Sequence, residues 1–114
     1  VGKLSEKIRE ITNCKNLILK LSSKGVFCTT TQNPKNSYFS LDSFTDSAID
    51  PVGAGDALLA YSSLALKSSN CLLTASIIGS FAAALECNKD GNEPIKANEV
   101  ISFISSYFEK LSIN

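Results

Sequence analysis

The sequence predicts an α/β protein that forms one end of a three-layer α/β/α sandwich. Three short apolar runs typical of buried strands lie before residue 43, and three long segments with apolar residues at helical spacing follow residue 54. Strands that precede helices able to cover them are the pattern of a layered α/β fold. A chain of 114 residues is long enough for one domain with a hydrophobic core.

The predicted elements follow one another in a regular order. Leu4, Ile8 and Ile11 share one helical face and predict a first helix over residues 3–12. The predicted strands cover residues 17–21, 26–31 and 37–42, with a polar turn at 32–36. The later helices are predicted over residues 55–67, 71–87 and 97–111.

Charge and hydropathy argue against two classes of partner. Eleven basic and eleven acidic residues cancel, and no cluster of Lys or Arg is interleaved with aromatic residues, so we expect no nucleic-acid partner. The most apolar region, residues 77–85, is shorter than a membrane span, which predicts a buried helix and no membrane partner. Residues 1–11 have no secretory signal, and we expect a cytoplasmic protein.

The cysteine and histidine content limits the available chemistry. Cys14, Cys28, Cys71 and Cys87 include no C-x-x-C pair and the chain has no histidine, so we expect reduced thiols and no zinc site. Without histidine, any proton transfer must use a carboxylate, a lysine or a tyrosine.

Residues 50–56, with the sequence DPVGAGD, are the most informative segment of the chain. Small residues at Gly53, Ala54 and Gly55 permit a tight turn directly before a helix. The unpaired N–H groups of that helix end, together with the positive end of its dipole, suit a phosphate or a developing negative charge. Asp56 would repel a bound anion at rest, so its carboxylate is better suited to accept a proton from an attacking hydroxyl.

Three other interpretations of this segment compete. A dinucleotide-binding fingerprint is disfavoured because Leu58 stands where its third small residue should be and Pro51 interrupts an approaching strand. A Walker-type phosphate loop is excluded because no Gly-Lys-Ser/Thr follows the glycines. A glycine-rich turn that only caps a helix remains open, because such turns are common.

Three segments of the chain together resemble one enzyme family. Residues 50–60, DPVGAGDALLA, resemble the second signature of the ribokinase-like (PfkB-type) carbohydrate kinases, which transfer the terminal phosphoryl group of ATP to a sugar hydroxyl. Residues 19–26, LKLSSKGV, are similar to a family strand and turn with the pattern V-T-L-G-x-x-G-V. The AAA run at 82–84 and KDGNEP at 89–94 are similar to its A-A-A…K-x-G-x-x-P segment. The resemblance implies a ribokinase-like sandwich from about Leu17 onward.

The resemblance implies catalytic roles for the glycine-rich motif. Asp56 matches the base that accepts the proton of the sugar hydroxyl. The backbone amides of Gly53, Ala54 and Gly55 match an anion hole for the transferring phosphoryl group. We therefore expect ATP-dependent phosphorylation of a sugar or sugar-phosphate hydroxyl.

The resemblance also implies ligands around that hole. ATP and Mg²⁺ are expected, with K⁺ as a monovalent cation beside the anion hole. The residues that match the cation site are Asp50, Val52 and Gly91. The residues that match the nucleotide site are Ser22, Ser23, Lys24, Gly25, Cys87, Asn88, Lys89 and Gly91.

The chain departs from the family pattern at Ser22 and at Tyr61. Ser22 stands where glycine is usual, and Tyr61 stands where a small residue is usual. Some heptose-phosphate kinases of the family relax the second position and have a similar K-x-G segment, which makes this subgroup a predicted neighbour.

The resemblance covers only the carboxyl-terminal portion of such a kinase. We predict that residues 1–114 are a single partial domain, the nucleotide-binding and catalytic part, whose partner is the amino-terminal half with the sugar-binding residues. A start at Val1 and the absence of Met suit a fragment.

A partial sheet predicts the behaviour of the chain alone. A parallel sheet without its neighbouring strands exposes an edge, so we expect the isolated chain to be inactive and to form a homodimer, pair with the rest of its fold, or aggregate. The alternative function is a catalytically degenerate module that binds nucleotide or mediates assembly.

Overall fold

A three-stranded sheet with helices on both faces forms the described part of the chain. The computed structural model describes residues 1–21, 24–32, 36–44, 53–89 and 94–111. Within these residues the order is α1 Gly2–Thr12, β1 Asn16–Lys20, β2 Val26–Thr30, β3 Ser37–Leu41, α2 Ala54–Ser69, α3 Leu72–Cys87 and α4 Ala97–Leu111. Every predicted helix and strand is present, and each begins and ends within two residues of its predicted bounds.

The three described strands are antiparallel, with β2 in the centre. Asn16 pairs with Thr30 and Lys20 with Val26, while Val26 also pairs with Leu41 on β3. The expectation of a parallel sheet is wrong for these strands. Only five or six residues separate consecutive strands, and a parallel connection needs about a dozen or more.

The two faces of the sheet pack against different helices. Cys28 points towards α3, where its Sγ donates to Ser76 Oγ at 3.3 Å, and burial raises the pKa of this thiol. The next residue, Thr29, must point to the opposite face, and its Oγ1 accepts a hydrogen bond from Arg9 Nη1 of α1 at 3.1 Å. The sheet therefore lies between α1 and the α2–α3 pair, as the predicted three-layer sandwich requires.

Helices α2 and α3 form a tight antiparallel hairpin. Asn70, in the left-handed region with φ 52°, ends α2, and its N–H donates to the Leu66 carbonyl at 2.8 Å. A Cβ built on Gly79 of α3 would stand 2.8 Å from the Ser62 Cβ and 3.0 Å from the Leu58 Cδ1. Glycine at this position therefore allows the two helices to approach closely.

An aromatic cluster attaches α4 to α3. Phe81 of α3 is completely buried, and its ring stacks on Phe44 with centroids 4.0 Å apart. Tyr107 and Phe103 of α4 meet the same ring edge-on at 5.1 and 5.8 Å. Phe44 follows β3, so the cluster also fixes the chain at the point where it leaves the sheet.

The unusual Tyr61 has a defined place in the packing. Its ring lies in a second apolar cluster with Ala57, Ala82 and Val100, and its hydroxyl donates to the Ile95 carbonyl at 3.0 Å. The ring thus fills the space between the helix hairpin and the start of α4.

None of the helices in the described residues has the length and apolar character needed to cross a bilayer.

The substitution Tyr61→Phe should lower the free energy of unfolding by about 1 kcal/mol, because it removes one partly buried hydrogen bond and leaves the Ile95 carbonyl without its donor. Urea unfolding monitored by circular dichroism measures this difference. Tyr38→Phe is the control, since Tyr38 is 74% exposed. Equal losses of unfolding free energy in the two variants would show that the hydrogen bond from Tyr61 to the Ile95 carbonyl does not contribute to stability.

Candidate functional site

The amino-terminal end of α2 is a turn with unsatisfied backbone N–H groups. Gly53 is its N-cap, with φ 91° and ψ −18° in the left-handed region that favours glycine. The Gly53 carbonyl accepts a hydrogen bond from Ala57 N at 3.0 Å, and no side chain caps the helix. The N–H groups of Ala54, Gly55 and Asp56 therefore have no acceptor within the helix. A helix end of this kind is suited to an anion.

The carboxylate of Asp56 stands in the first turn of the same helix. Its side chain is exposed, whereas Gly53, Ala54 and Gly55 are half-buried. The N–H groups and the carboxylate thus lie in one short segment. The N–H groups are in a half-buried turn, and the carboxylate is open to solvent. A hydroxyl compound outside the helix end can reach this carboxylate.

A lysine that the sequence interpretation did not single out lies against this turn. Lys20 is the last residue of β1, and a Cβ built on Gly55 would stand 2.5 Å from the Lys20 Nζ and 3.6 Å from its Cε. The ammonium therefore lies beside the backbone of the second helical residue. The absence of a side chain at Gly55 makes this approach possible.

An open groove continues from this point along the sheet edge. Its volume is about 310 Å³, and it lies between β1, which forms one edge of the described sheet, and α2. Lys20 and Gly55 line one end, and the wall further along is mainly apolar. The apolar lining residues include Ile18, Leu58, Leu59, Leu66 and Leu72.

The turn between β1 and β2 lies at the same end of the sandwich. Gly25 has φ 91°, and a Cβ built there would collide with the Leu41 carbonyl oxygen, so this position requires glycine. Leu21 N donates to the Gly25 carbonyl at 2.8 Å and closes the turn, with Lys24 exposed on it. Because Lys20 precedes this turn and reaches Gly55, the turn and the start of α2 are neighbours.

The end of α3 completes this region. The antiparallel hairpin places the last turn of α3 beside the first turn of α2, and Cys87 is buried there while Asn88 is exposed. The Asn88 N–H bonds to the Ala84 and Leu85 carbonyls, each at 3.2 Å, and caps the helix. The structure therefore brings together three of the segments that the sequence selected: residues 24–25, 53–56 and 87–89.

The ammonium of Lys89 has a structural partner. Its Nζ lies 2.7 Å from Glu99 Oε2, and Glu99 Oε1 accepts a hydrogen bond from the Lys96 N–H at 3.0 Å. The hydrogen bonds from Lys89 and from the Lys96 backbone hold the pKa of the Glu99 carboxyl below its usual range. Lys89 thus ties the end of α3 to the start of α4, in addition to any role towards a nucleotide.

A buried carboxylate also lies in the last turn of α3. Glu86 is 4% exposed, and its Oε2 has no hydrogen-bond partner within the part of the chain that the structure describes. It stands two turns after Gly79, on the stripe of α3 that faces α2. The sequence interpretation assigned no role to it.

Several predicted site residues lie outside the described residues. These are Ser22, Ser23, Asp50, Val52 and Gly91. They include all the predicted ligands of the monovalent cation. The cation site therefore remains a prediction from the sequence resemblance.

Comparison with known proteins supplies the family. No protein-family profile and no curated protein matches the chain. Among solved structures, ribokinase from Thermotoga maritima is 31% identical with a TM-score of 0.76, over 90% of this chain and 34% of that one. A putative ribokinase II from E. coli is 19% identical with a TM-score of 0.73, over 90% and 33%. Fructokinase from Vibrio cholerae, in its fructose-, ADP- and calcium-bound form, is 18% identical with a TM-score of 0.71, over 89% and 34%.

These similarities show the fold of the chain and indicate the family that it resembles. The chain has the ribokinase-like α/β/α fold, and it spans about a third of the length of the kinases it matches. The similarity to ribokinase confirms the resemblance to the carboxyl-terminal portion of the ribokinase-like (PfkB-type) carbohydrate kinases that the motifs predicted.

The substitution Glu99→Gln should lower the midpoint of thermal unfolding at pH 7 and have no effect in acid. The folded-state pKa of Glu99 is depressed, so its ion pair stabilises the fold above the ordinary carboxyl pKa and is lost as the pH falls below about 4. Melting curves between pH 3 and pH 7 test this. Glu10→Gln, an exposed carboxylate on α1, is the control. If the unfolding midpoint of Glu99→Gln differs from that of the unmodified protein by the same amount at every pH, the charge of Glu99 does not contribute to stability.

Proposed function

We propose that this chain is the nucleotide-binding and catalytic part of a kinase that transfers the terminal phosphoryl group of ATP to a hydroxyl of a sugar or sugar phosphate. The observation that carries the proposal is the start of α2, where three N–H groups without helical acceptors stand beside the exposed carboxylate of Asp56. The fold match to ribokinase from Thermotoga maritima supports it. The Vibrio cholerae fructokinase structures hold fructose and ADP together with calcium or potassium ions.

In this proposal Asp56 accepts a proton late in the reaction. An aspartate with an ordinary pKa of about 3.9 is too weak a base to remove a proton from a resting sugar hydroxyl. In a loose phosphoryl-transfer transition state, the hydroxyl loses its proton only after the attack is under way. The position of the carboxylate therefore matters more than its basicity.

In this proposal the amides of Gly53, Ala54 and Gly55 hold the transferring group, and those of Ala54 and Gly55 are among the N–H groups without an acceptor in the helix. Their N–H dipoles and the positive end of α2 stabilise the negative charge on the phosphoryl oxygens. Because the turn is fixed before the substrate arrives, these donors need no reorganisation during the reaction. Losing one donor of this kind typically costs about 100-fold or more in rate.

Magnesium belongs to the nucleotide in this scheme. The described residues contain no group of three or more carboxylate, cysteine or histidine side chains that could hold a metal ion. We place the Mg²⁺ ion mainly on the phosphates of ATP, where it would neutralise their charge. The predicted K⁺ ligands Asp50, Val52 and Gly91 belong to the same proposal.

The variant Asp56→Asn, made in the full-length protein, should reduce the turnover number by about 100- to 10,000-fold and leave ATP binding intact. The measurement is a coupled ADP-release assay over a panel of sugars and sugar phosphates, with calorimetric titration of ATP. Glu109→Gln, an exposed carboxylate on α4, is the control and should retain activity. Near-normal turnover of Asp56→Asn would remove Asp56 from the mechanism.

The alternative function, a catalytically degenerate module, has less support. Ser22, Tyr61 and the absence of the sugar-binding half favour it, but the Tyr61 ring packs in the second apolar cluster and its hydroxyl donates to the Ile95 carbonyl. If the full-length protein binds ATP but phosphorylates no member of the panel, the degenerate module becomes the better proposal.

The partial domain needs the rest of a kinase fold to work. Within the described sheet β1 is an edge strand, and the groove beside it is apolar, with Leu59 67% exposed. An edge strand next to an apolar groove is a place for further strands to pair and pack. We infer that the amino-terminal half of the kinase occupies this position and supplies the sugar-binding residues, so that the 114-residue chain alone is inactive.

The isolated 114-residue chain should therefore elute from size-exclusion chromatography as a dimer or larger species. Leu59→Glu, which places a charge in the groove, should shift the population towards monomer. Leu4→Glu on α1, where the leucine is 58% exposed, is the matched control and should leave association unchanged. A monodisperse, stable monomer for the unmodified chain would contradict the prediction.

A further inference from the structure

Lys20 has a position that is unfavourable unless an anion is present. Its ammonium lies against Gly55, at the positive end of the α2 dipole and beside N–H groups that have no helical acceptor. No carboxylate in the described ranges of the chain forms an ion pair with it, and that includes Asp56 in the same turn. Lys20 is exposed, so its flexible side chain could extend into water instead.

The charges around this helix end explain what the lysine can contribute. The Asp56 carboxylate stands in the first turn of α2. It repels a phosphate that approaches the amides of the turn. A cation beside Gly55 offsets this repulsion at the place where the phosphate would bind.

We propose that Lys20 is a further catalytic residue of the kinase, whose ammonium donates to the oxygens of the terminal phosphoryl group of ATP. The proposal rests on the function proposed above and adds a residue that neither the sequence motifs nor the comparisons assign. The sugar hydroxyl oxygen bonds to the terminal phosphorus, the bond from that phosphorus to the bridging oxygen breaks, ADP leaves, and the hydroxyl proton passes to Asp56. Lys20 stays beside the moving phosphoryl group and offsets part of its negative charge.

The sequence is consistent with this role. In the family pattern V-T-L-G a threonine stands at the position of Lys20, and a glycine stands at the position of Ser22. A lysine reaches further than a threonine and brings a full charge, which gives a charge-assisted hydrogen bond. The side chain at this strand end can therefore contact a phosphate at a greater distance than a threonine could.

The test compares nucleotides with and without the terminal phosphates in the full-length protein. Lys20→Met removes the charge and keeps most of the side-chain length. We expect the affinity for a non-hydrolysable ATP analogue to fall by about 10- to 100-fold, with kcat/KM for ATP falling similarly, while the affinity for AMP is unchanged. Calorimetric titration of the two nucleotides and steady-state kinetics measure these changes. Lys20→Arg should restore most of the lost affinity.

Two matched variants complete the design. Lys15→Met removes an exposed lysine just before the other end of β1 and should leave affinity and kinetics unchanged. Gly55→Ala keeps the N–H group and displaces only the flexible end of Lys20, so it should weaken binding of the ATP analogue without lowering the melting temperature. This second variant tests the proposal even if Lys20→Met does not fold.

The outcomes separate the two proposals. If Lys20→Met and Gly55→Ala bind the ATP analogue as the unmodified protein does, while Asp56→Asn is inactive, Lys20 has no phosphate role and the kinase function stands. Equal losses of affinity for the ATP analogue and for AMP would also overturn the proposal, because they indicate a general structural effect. If the unmodified protein neither binds ATP nor phosphorylates any sugar, both proposals fail.

Discussion

The burial of α3 is the constraint on which the rest of the structure depends. Ten of its sixteen residues are buried, and a helix that is apolar on all sides must be covered on all sides. The sheet covers one side through Cys28 and Ser76, α2 covers another at Gly79, and α4 covers a third through Phe81. Each of the three neighbours is thus positioned by contact with one central helix.

The position of the candidate site follows from this arrangement. Because α2 and α3 are antiparallel and joined by a short turn, the start of α2 must lie beside the end of α3. Because β1 and α2 line the two sides of one groove, the end of β1 lies at the start of α2 and brings Lys20 to Gly55. Segments far apart in sequence therefore meet at one end of the sandwich.

The sequence predicted local features well and tertiary contacts poorly, for physical reasons. Apolar spacing and glycine positions determine where helices such as α4 begin and end, so these bounds could be predicted. Strand direction depends on loop length and partner choice, which the parallel-sheet expectation did not weigh. The contact between Lys20 and Gly55 depends on how β1 packs against α2, and no periodicity in the sequence encodes it. The only available signal was the lysine in place of threonine in the family pattern.

The distribution of polar partners distinguishes structural groups from functional ones. Polar groups that hold the fold together are paired within it, as Tyr61 is with Ile95 and Lys89 is with Glu99. At the start of α2 the N–H groups have no acceptor in the helix, and the Lys20 ammonium and the Asp56 carboxylate form no ion pair with each other. Lys20 lies against Gly55 and Asp56 is the next residue, so the two charged groups flank the same turn. Because the two groups are not paired with each other, both remain available to ligands. The Lys20 ammonium can contact a phosphate, and the Asp56 carboxylate can accept a proton from a hydroxyl.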